Sequence, residues 1–408
     1  MQLTRRALLG GGILGATLMF RKDSFAQALF RKNGNVIVVV FLRGGADGMT
    51  LVVPYAEEAY YRARPTLAVA RPGRAAQASL RLDDRFALNP SLRSLMPLYE
   101  GGDLAMVHAV GSQDRTRSHF EAMSAMERGA ARDGESINGG WLARYLLATS
   151  SLSAPLRAVG FGATMPESLN GATQAVAIES LDHYRLDVPH ESRREVASLL
   201  DALFASGSDP YSEAARNTLR ALEAVGDYDP ATSKPEGGAL YPDTSLGNAL
   251  KQVAFLVRKD VGLEVACVDA ADRGGWDTHV AQGPWISGLL DDLGGSLAAF
   301  RKDLGTEMSR VTVVVQTEFG RRLAENSGYG TDHGRASVMF AMGGGVNGGR
   351  VVCDWPGLAP ENLEGPGDLR VTTDYRDVLS EMLESRLGRD DVSEVFPGHV
   401  RKPVGVFV

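Results

Sequence analysis

Seven consecutive apolar residues, Val36-Ile37-Val38-Val39-Val40-Phe41-Leu42, constrain this chain more than any other feature. Most of the run is β-branched, which favours an extended backbone. It does not alternate with polar residues, so both faces have to be covered, as in the parallel sheet of an α/β layered domain. Shorter apolar runs at 104–110, 263–269, 311–316 and 338–342 read as further strands. Between them, helical periodicity predicts helices over 90–99, 246–257, 286–304 and 375–387, the first with Asn89 as N-cap and Pro90 at its first position. In 286–304 the set Ile286, Leu289, Leu290, Leu293, Leu297, Phe300 and Leu304 keeps the 3,4 spacing of one helix face. Strands alternating with helices predict a three-layer α/β/α body with a mainly parallel central sheet. The stretch 150–242 fits the alternation poorly, with a helical part near 191–225, and is expected to be an insertion or cap beside the sheet.

Composition narrows the function classes. At 408 residues, 44% hydrophobic and 23% charged, the chain is neither fibrous nor disordered. Its net charge of −7, with no densely basic stretch, argues against nucleic acid as a partner. The first residues are expected to lie outside the fold. Arg5-Arg6 precede an uncharged run from Ala7 to Phe20, and Ala26-Gln27-Ala28 supplies a small-x-small cleavage site. This reads as a twin-arginine export signal over 1–28, its run shorter than the roughly 20 apolar residues of a membrane span. Cleavage would leave a periplasmic or secreted body, 29–408, with no stable membrane span. That body loses Arg5, Arg6, Arg21 and Lys22 against one acid, Asp23, and so is more acidic than the full chain. Only Cys267 and Cys353 are available for a bridge in an oxidising compartment, and buried free thiols are the alternative.

The polar residues fall immediately after the strands. The first is followed by Arg43-Gly44-Gly45-Ala46-Asp47-Gly48, and the second by a loop that reaches Arg115-Thr116-Arg117-Ser118-His119. The third leads to Gly274-Gly275-Trp276-Asp277-Thr278-His279, the fourth to Thr317-Glu318-Phe319-Gly320-Arg321, with Thr331-Asp332-His333-Gly334 beyond. In open α/β sheets the carboxyl ends of parallel strands border the ligand crevice, so these loops should converge. Carboxylates and imidazoles in one crevice suit a divalent cation such as Zn²⁺, Mn²⁺ or Ca²⁺. A single Asp-x-His can equally be a hydrogen-bonded loop brace; the joint placement after strands favours metal. Ser118 with Glu121 forms a capping-box pattern, and the same helix N-terminus would favour the alkoxide of a nucleophilic serine. Arg115 and Arg117 flank it and suit a phosphate or sulfate; Thr116 is the competing nucleophile. The clusters Gly343-Gly344-Gly345 and Gly348-Gly349 lack the G-x-G-x-x-G and Walker patterns and read as tight turns, and no G-x-S-x-G elbow is present.

Taken together, the motifs from Phe41 to Gly48, Thr116 to Phe120, Gly275 to His279, Thr317 to Arg321 and Thr331 to Gly334 resemble a bacterial family of twin-arginine-exported proteins. This is the domain-of-unknown-function family numbered 1501, which is distantly similar to the alkaline phosphatase and sulfatase superfamily. The resemblance implies one or two metals at the strand ends and a hydroxyl nucleophile. By motif, Asp47, Asp277, His279, Glu318, His333 and Asp332 would be metal ligands, Ser118 the nucleophile, and His119 and Arg321 substrate contacts. Two metals about 4 Å apart would clamp the attacking and leaving oxygens of an in-line displacement. The chain departs from the phosphatase pattern at Glu318-Phe319, where those enzymes place Asp-His, and lacks the Cys-x-Pro-x-Arg of sulfatases. The expected activity is metal-dependent hydrolysis of a small anionic ester, phosphate or phosphonate ahead of sulfate. The rival is a non-catalytic exported protein that keeps the fold and a structural metal.

Overall fold

The computed structural model describes residues 34–149, 154, 156–226, 228–387 and 392–408. A nine-stranded sheet lies at its centre. Its strands are, in chain order, β1 Val36–Leu42, β2 Leu104–Gly111, β3 Ala158–Phe161, β4 Ala175–Ile178, β5 Val265–Ala270, β6 Val311–Gln316, β7 Ser337–Gly343, β8 Arg350–Val352 and β9 Thr373–Asp374. In space the order is β8-β2-β7-β6-β1-β5-β3-β4, with β9 also paired to β2. Among the described strands of this sheet only β7 runs against the rest, antiparallel to β2 and β6. The chain is α/β with a mixed, mostly parallel sheet, as its strand and helix alternation requires.

β1 sits between β5 and β6, parallel to both, and all seven of its residues are buried. Val36, Val38, Val40 and Leu42 face one core, Ile37, Val39 and Phe41 the other, which is why this run carries no polar position. The first core is closed by α5 Ser245–Lys259 and α6 Gln282–Leu304, the second by α1 His119–Arg128, α2 Trp141–Ala148 and α7 Tyr375–Leu387. The sheet therefore lies between two helical layers. In α6 the expected apolar face is buried from Ile286 to Leu304, and the helix starts one turn earlier than its periodicity shows.

Two elements differ from expectation. The segment 90–99 is not one helix: a 3₁₀ stretch, Pro90–Leu95, kinked at a non-helical Leu92, passes into a short α-helix, Met96–Glu100, with Pro97 in its first turn. Pro97 has no N–H to continue a preceding turn. Asn89 caps the segment as expected, accepting from the Ser91 amide at 3.0 Å. The stretch 150–242 is not merely beside the sheet. It supplies β3 and β4, which extend the sheet beyond β5, before two helices, α3 Arg193–Phe204 and α4 Pro210–Val225. These two strands are four residues each, Ala-Val-Gly-Phe and Ala-Val-Ala-Ile, too short to stand out from periodicity. Cys267 and Cys353 are both free thiols. Among the described residues no helix is long and apolar enough to cross a membrane. The expected export signal lies outside the described residues.

Candidate metal centre

Because β1, β2, β5 and β6 run in the same direction, the loops that leave them emerge on one edge of the sheet. Two glycines let the first and third of these loops cross. At Gly44 (φ +117°) a Cβ would lie 2.7 Å from the Asp277 amide nitrogen, and at Gly275 (φ +79°) one would lie 2.6 Å from the Arg43 carbonyl oxygen. Only glycine tolerates both the conformation and the approach. Arg321, fully buried, ties the crossing together. Its guanidinium donates to the carbonyls of Gly45 (2.6 Å), Gly44 (2.5 Å), Trp276 (3.1 Å) and Thr331 (3.0 Å), and to Asp277 Oδ1 (2.6 Å).

Three histidines meet at Asp277. His119, the first residue of α1, donates Nδ1–H to Glu318 Oε1 at 2.7 Å, since a carboxylate can only accept. Its Nε2 then carries the lone pair, is buried without a hydrogen-bond partner, and lies 3.4 Å from Asp277 Oδ1. His333 donates Nδ1–H to the Arg117 carbonyl at 2.9 Å, which leaves its own Nε2 lone pair 3.1 Å from the same Asp277 oxygen. His279 closes the group: its Nε2 lies 2.9 Å from His333 Nε2 and 3.2 Å from Asp277 Oδ1, and its Nδ1 faces Asp332 Oδ1 at 3.4 Å.

Lone pairs directed at one carboxylate oxygen repel unless a cation stands among them. The ligand atoms of His119, Asp277 and His333 all lie within 4.8 Å of one another. Their separations from the carboxylate oxygen, 3.1 and 3.4 Å, bracket the roughly 3.3 Å edge of a tetrahedron with metal bonds of about 2.0 Å. These residues fit a divalent metal. Electrostatics point the same way. Burial acts to raise the Asp277 carboxyl, but the Arg321 hydrogen bond and charge outweigh it and hold the group at about 2, so it stays ionised. Burial and the Arg321 charge lower His333, which keeps its imidazole neutral, as a ligand must be. His119 differs: burial works against a charge, yet the Glu318 hydrogen bond and charge prevail and raise it, so its Nε2 is a more basic donor from which a metal would have to displace the proton. A metal-bound imidazole whose other nitrogen is held by a carboxylate or a carbonyl is the usual outer-shell arrangement, here made by Glu318, Asp332 and the Arg117 carbonyl.

The expected site residues thus divide. Asp277, His279 and His333 come together. His119, expected at the substrate, stands with Asp277 and His333 in the group that could hold a metal ion. Its signal was its place at a helix start in a strand-end loop. Glu318, expected as a ligand, is turned away from the centre. Its carboxylate accepts from the Gly44 amide (2.9 Å), the Thr317 hydroxyl (3.0 Å) and His119. Asp332 likewise stands behind His279, accepting from Asn326 (3.0 Å) and Arg322 (3.3 Å). Arg321 contacts Asp277 and backbone, not an open crevice. Asp47, expected as a ligand, is fully buried and ion-paired with Arg64 and stands outside the group that could hold a metal ion.

The nucleophile loop is also reassigned in part. Ser118 stands at the N-cap of α1, partly exposed, and its side chain makes no capping bond, so the capping box is not formed. Thr116 donates its hydroxyl to Asp114 at 2.5 Å. Arg117 adopts φ +55° and pairs with Asp368, so its carbonyl, not its guanidinium, serves the centre. Arg115 is exposed. Arg117, Ala281 (φ +50°) and Tyr329 (φ +56°) all hold left-handed backbone in loops that carry these residues. Strain of this kind collects where structure is held for function.

A family model described as "Protein of unknown function (DUF1501)" matches residues 35–396. The chain belongs to this family. The motifs that suggested it are the ones that build the centre. No curated protein matches it in sequence. Among solved structures it is similar to Ps i-CgsB in complex with k-i-k-neocarrahexaose, at 10% identity and a TM-score of 0.39 over 90% of this chain and 74% of that one. It is similar to the PH0037 protein of Pyrococcus horikoshii at 12% identity and a TM-score of 0.33, over 88% of this chain and 98% of that one. For the phosphonate monoester hydrolase of Agrobacterium radiobacter the figures are 11% and 0.28, over 90% and 78%.

Proposed function

We propose that this member of the family is an exported, metal-dependent hydrolase of small anionic esters of the phosphate, phosphonate or sulfate class. The observation that carries the reading is the convergence of the His119 and His333 Nε2 lone pairs on Asp277 Oδ1, with His279 beside them, at the carboxyl edge of a mostly parallel sheet. A divalent cation bound there would polarise an ester oxygen and stabilise the charge that develops on it. Glu318 and the Arg117 carbonyl hold the two imidazoles in the tautomer that faces the centre.

Ser118 is the nucleophile of this proposal. It directly precedes His119, is partly exposed, and keeps its hydroxyl out of any capping bond. At the N-terminus of the ten-residue α1 the helix field favours the serine alkoxide and an anionic group beside it. Its Oγ attacks phosphorus or sulfur, the alcohol departs, and water releases the anion from the serine in a second displacement. Export through the twin-arginine machinery is part of the proposal and rests on Arg5-Arg6 and Ala26-Gln27-Ala28.

Metal analysis of the exported protein, together with turnover of aryl phosphate, phosphodiester and aryl sulfate substrates, tests the reading. No bound metal, or undiminished turnover in Ser118→Ala, overturns it. A second reading, a non-catalytic protein with a structural metal, is favoured by one observation: Arg117 and Arg321 are both committed to carboxylates of the chain. Bound metal without turnover of any ester class would select that reading.

A further inference from the structure

Asp47 follows β1 in the position where the resemblance expects a metal ligand, and its surroundings say otherwise. Both its oxygens already have donors. Oδ2 accepts from Arg64 Nη1 (2.6 Å), Thr50 Oγ1 (2.7 Å) and Gln282 Nε2 (2.6 Å), and Oδ1 accepts from Arg64 Nη2 (3.1 Å). Arg64 is equally committed: besides Asp47 it donates to the Leu323 carbonyl (2.8 Å), the Arg322 carbonyl (2.9 Å) and Thr50 Oγ1 (3.0 Å), which uses all five of its N–H groups. Neither side chain is exposed to solvent. Breaking such a pair leaves a buried charge unmatched, at a cost of about 3–5 kcal/mol.

A cation needs lone pairs, and around Asp47 the lone pairs face N–H and O–H donors. We propose that the chain takes one divalent cation, on His119, Asp277 and His333, and that the Arg64 guanidinium permanently supplies at Asp47 the positive charge a second cation would carry. The inference rests on the metal centre of the proposed function and departs from the two-metal arrangement the resemblance implies. The Asp47 network acts instead as a brace. Gln282 accepts at Oε1 from Thr278 (3.0 Å) and Thr331 (2.6 Å), the neighbours in sequence of Asp277, His279 and Asp332. The buried ion pair thus holds the two loops that carry the ligands. Two imidazole nitrogens and one carboxylate oxygen are the donor set of a borderline ion, which favours Zn²⁺ over Ca²⁺ or Mg²⁺.

The test is elemental analysis of the full chain after chelation, exposure to excess Zn²⁺ and removal of free metal. One equivalent is expected, and two would overturn the inference. His333→Ala should remove that equivalent; a retained ion would reveal another site and overturn it. The neutral pair Asp47→Asn/Arg64→Gln, if folded by circular dichroism, should keep one equivalent and the Co²⁺ absorption spectrum of the wild type. A lost ion in that folded variant would overturn the inference, whereas a weaker affinity with the spectrum kept is what a brace requires. If the pair does not fold, wild type and His333→Ala decide the question alone. No ion in the wild type would overturn this inference and the hydrolase reading together, whereas two ions with Ser118-dependent turnover would overturn this inference only.

Discussion

Glu318 accepts the Nδ1–H of His119 across 2.7 Å, and that single bond decides which nitrogen of the imidazole faces Asp277. The carboxylate is fully buried and also holds the Gly44 amide, so it is fixed to the end of β1 while it fixes the start of α1. Glu318→Gln keeps the shape and an acceptor but removes the charge. Zinc affinity is expected to fall by about 10- to 100-fold, the usual penalty for losing an outer-shell partner, with little change in folding. Competition with a chelator of known affinity measures it, and an unchanged affinity would refute the positioning role.

Ser118→Ala should separate the nucleophile from the centre. Turnover is expected to drop by about 10³-fold or more, as when other nucleophilic serines are removed, while the bound metal stays at the wild-type level because the Ser118 hydroxyl is not among the atoms that converge on the centre. Steady-state kinetics and metal content on the same preparation read both quantities. An equal loss of metal and activity would show that the serine acts through the structure of the loop.

His108 predicts how stability depends on pH. It is wholly buried on β2, with Nε2–H donated to the Val52 carbonyl at 2.9 Å and Nδ1 accepting the Ala109 amide at 2.7 Å, so both nitrogens serve the neutral ring. Burial pushes its pKa from 6.5 down to about 4, against the partial support of the Val52 bond. Above pH 6.5 neither state binds the proton. Between 6.5 and about 4 the unfolded chain takes it up and the folded chain does not, so stability falls with falling pH across that window, by about 3 kcal/mol in all. Denaturant titrations from pH 7 to 4 should show this slope, and His108→Gln should flatten it.

Glu381 predicts the strength with which the C-terminus is held. From α7 its two oxygens accept the amides of Val404 (2.7 Å), Gly405 (3.0 Å), Val406 (2.7 Å) and Phe407 (2.9 Å), while Asp377 accepts from His399 and the Lys402 amide, both at 2.8 Å. Glu381→Ala leaves four amides without their acceptor, and a loss of about 2–4 kcal/mol is expected. Thermal unfolding and limited proteolysis near residue 400 check it. A Tm equal to wild type would mean that Asp377, the backbone bonds to Gly345 and Asn347, and the packing of Val406 and Phe407 hold the segment without Glu381.

The strands and the loops that matter could be read in order from the chain because their signal is local. An uninterrupted apolar run needs two covered faces wherever it sits, and polar motifs that follow such runs share an edge once the runs are parallel. The short strands β3 and β4 escaped because four apolar residues, half of them small, are too few to show a strand's pattern. Leu92 and Pro97 broke an expected helix by backbone geometry that apolar spacing does not record.

Residue roles were a different matter. The sequence by itself determined the α/β class, a first strand covered on both faces, the family, and the loops from which the centre is built. Only the tertiary structure decided what each of them does. His119 turns its Nε2 toward Asp277 because Glu318, 199 residues away, holds its Nδ1, and Asp47 stands apart from that group because Arg64, 17 residues on, and Gln282, 235 residues on, occupy its oxygens. A carboxylate faces a metal or a guanidinium according to which donor is packed against it, and no spacing along the chain encodes a contact made after the loops have crossed.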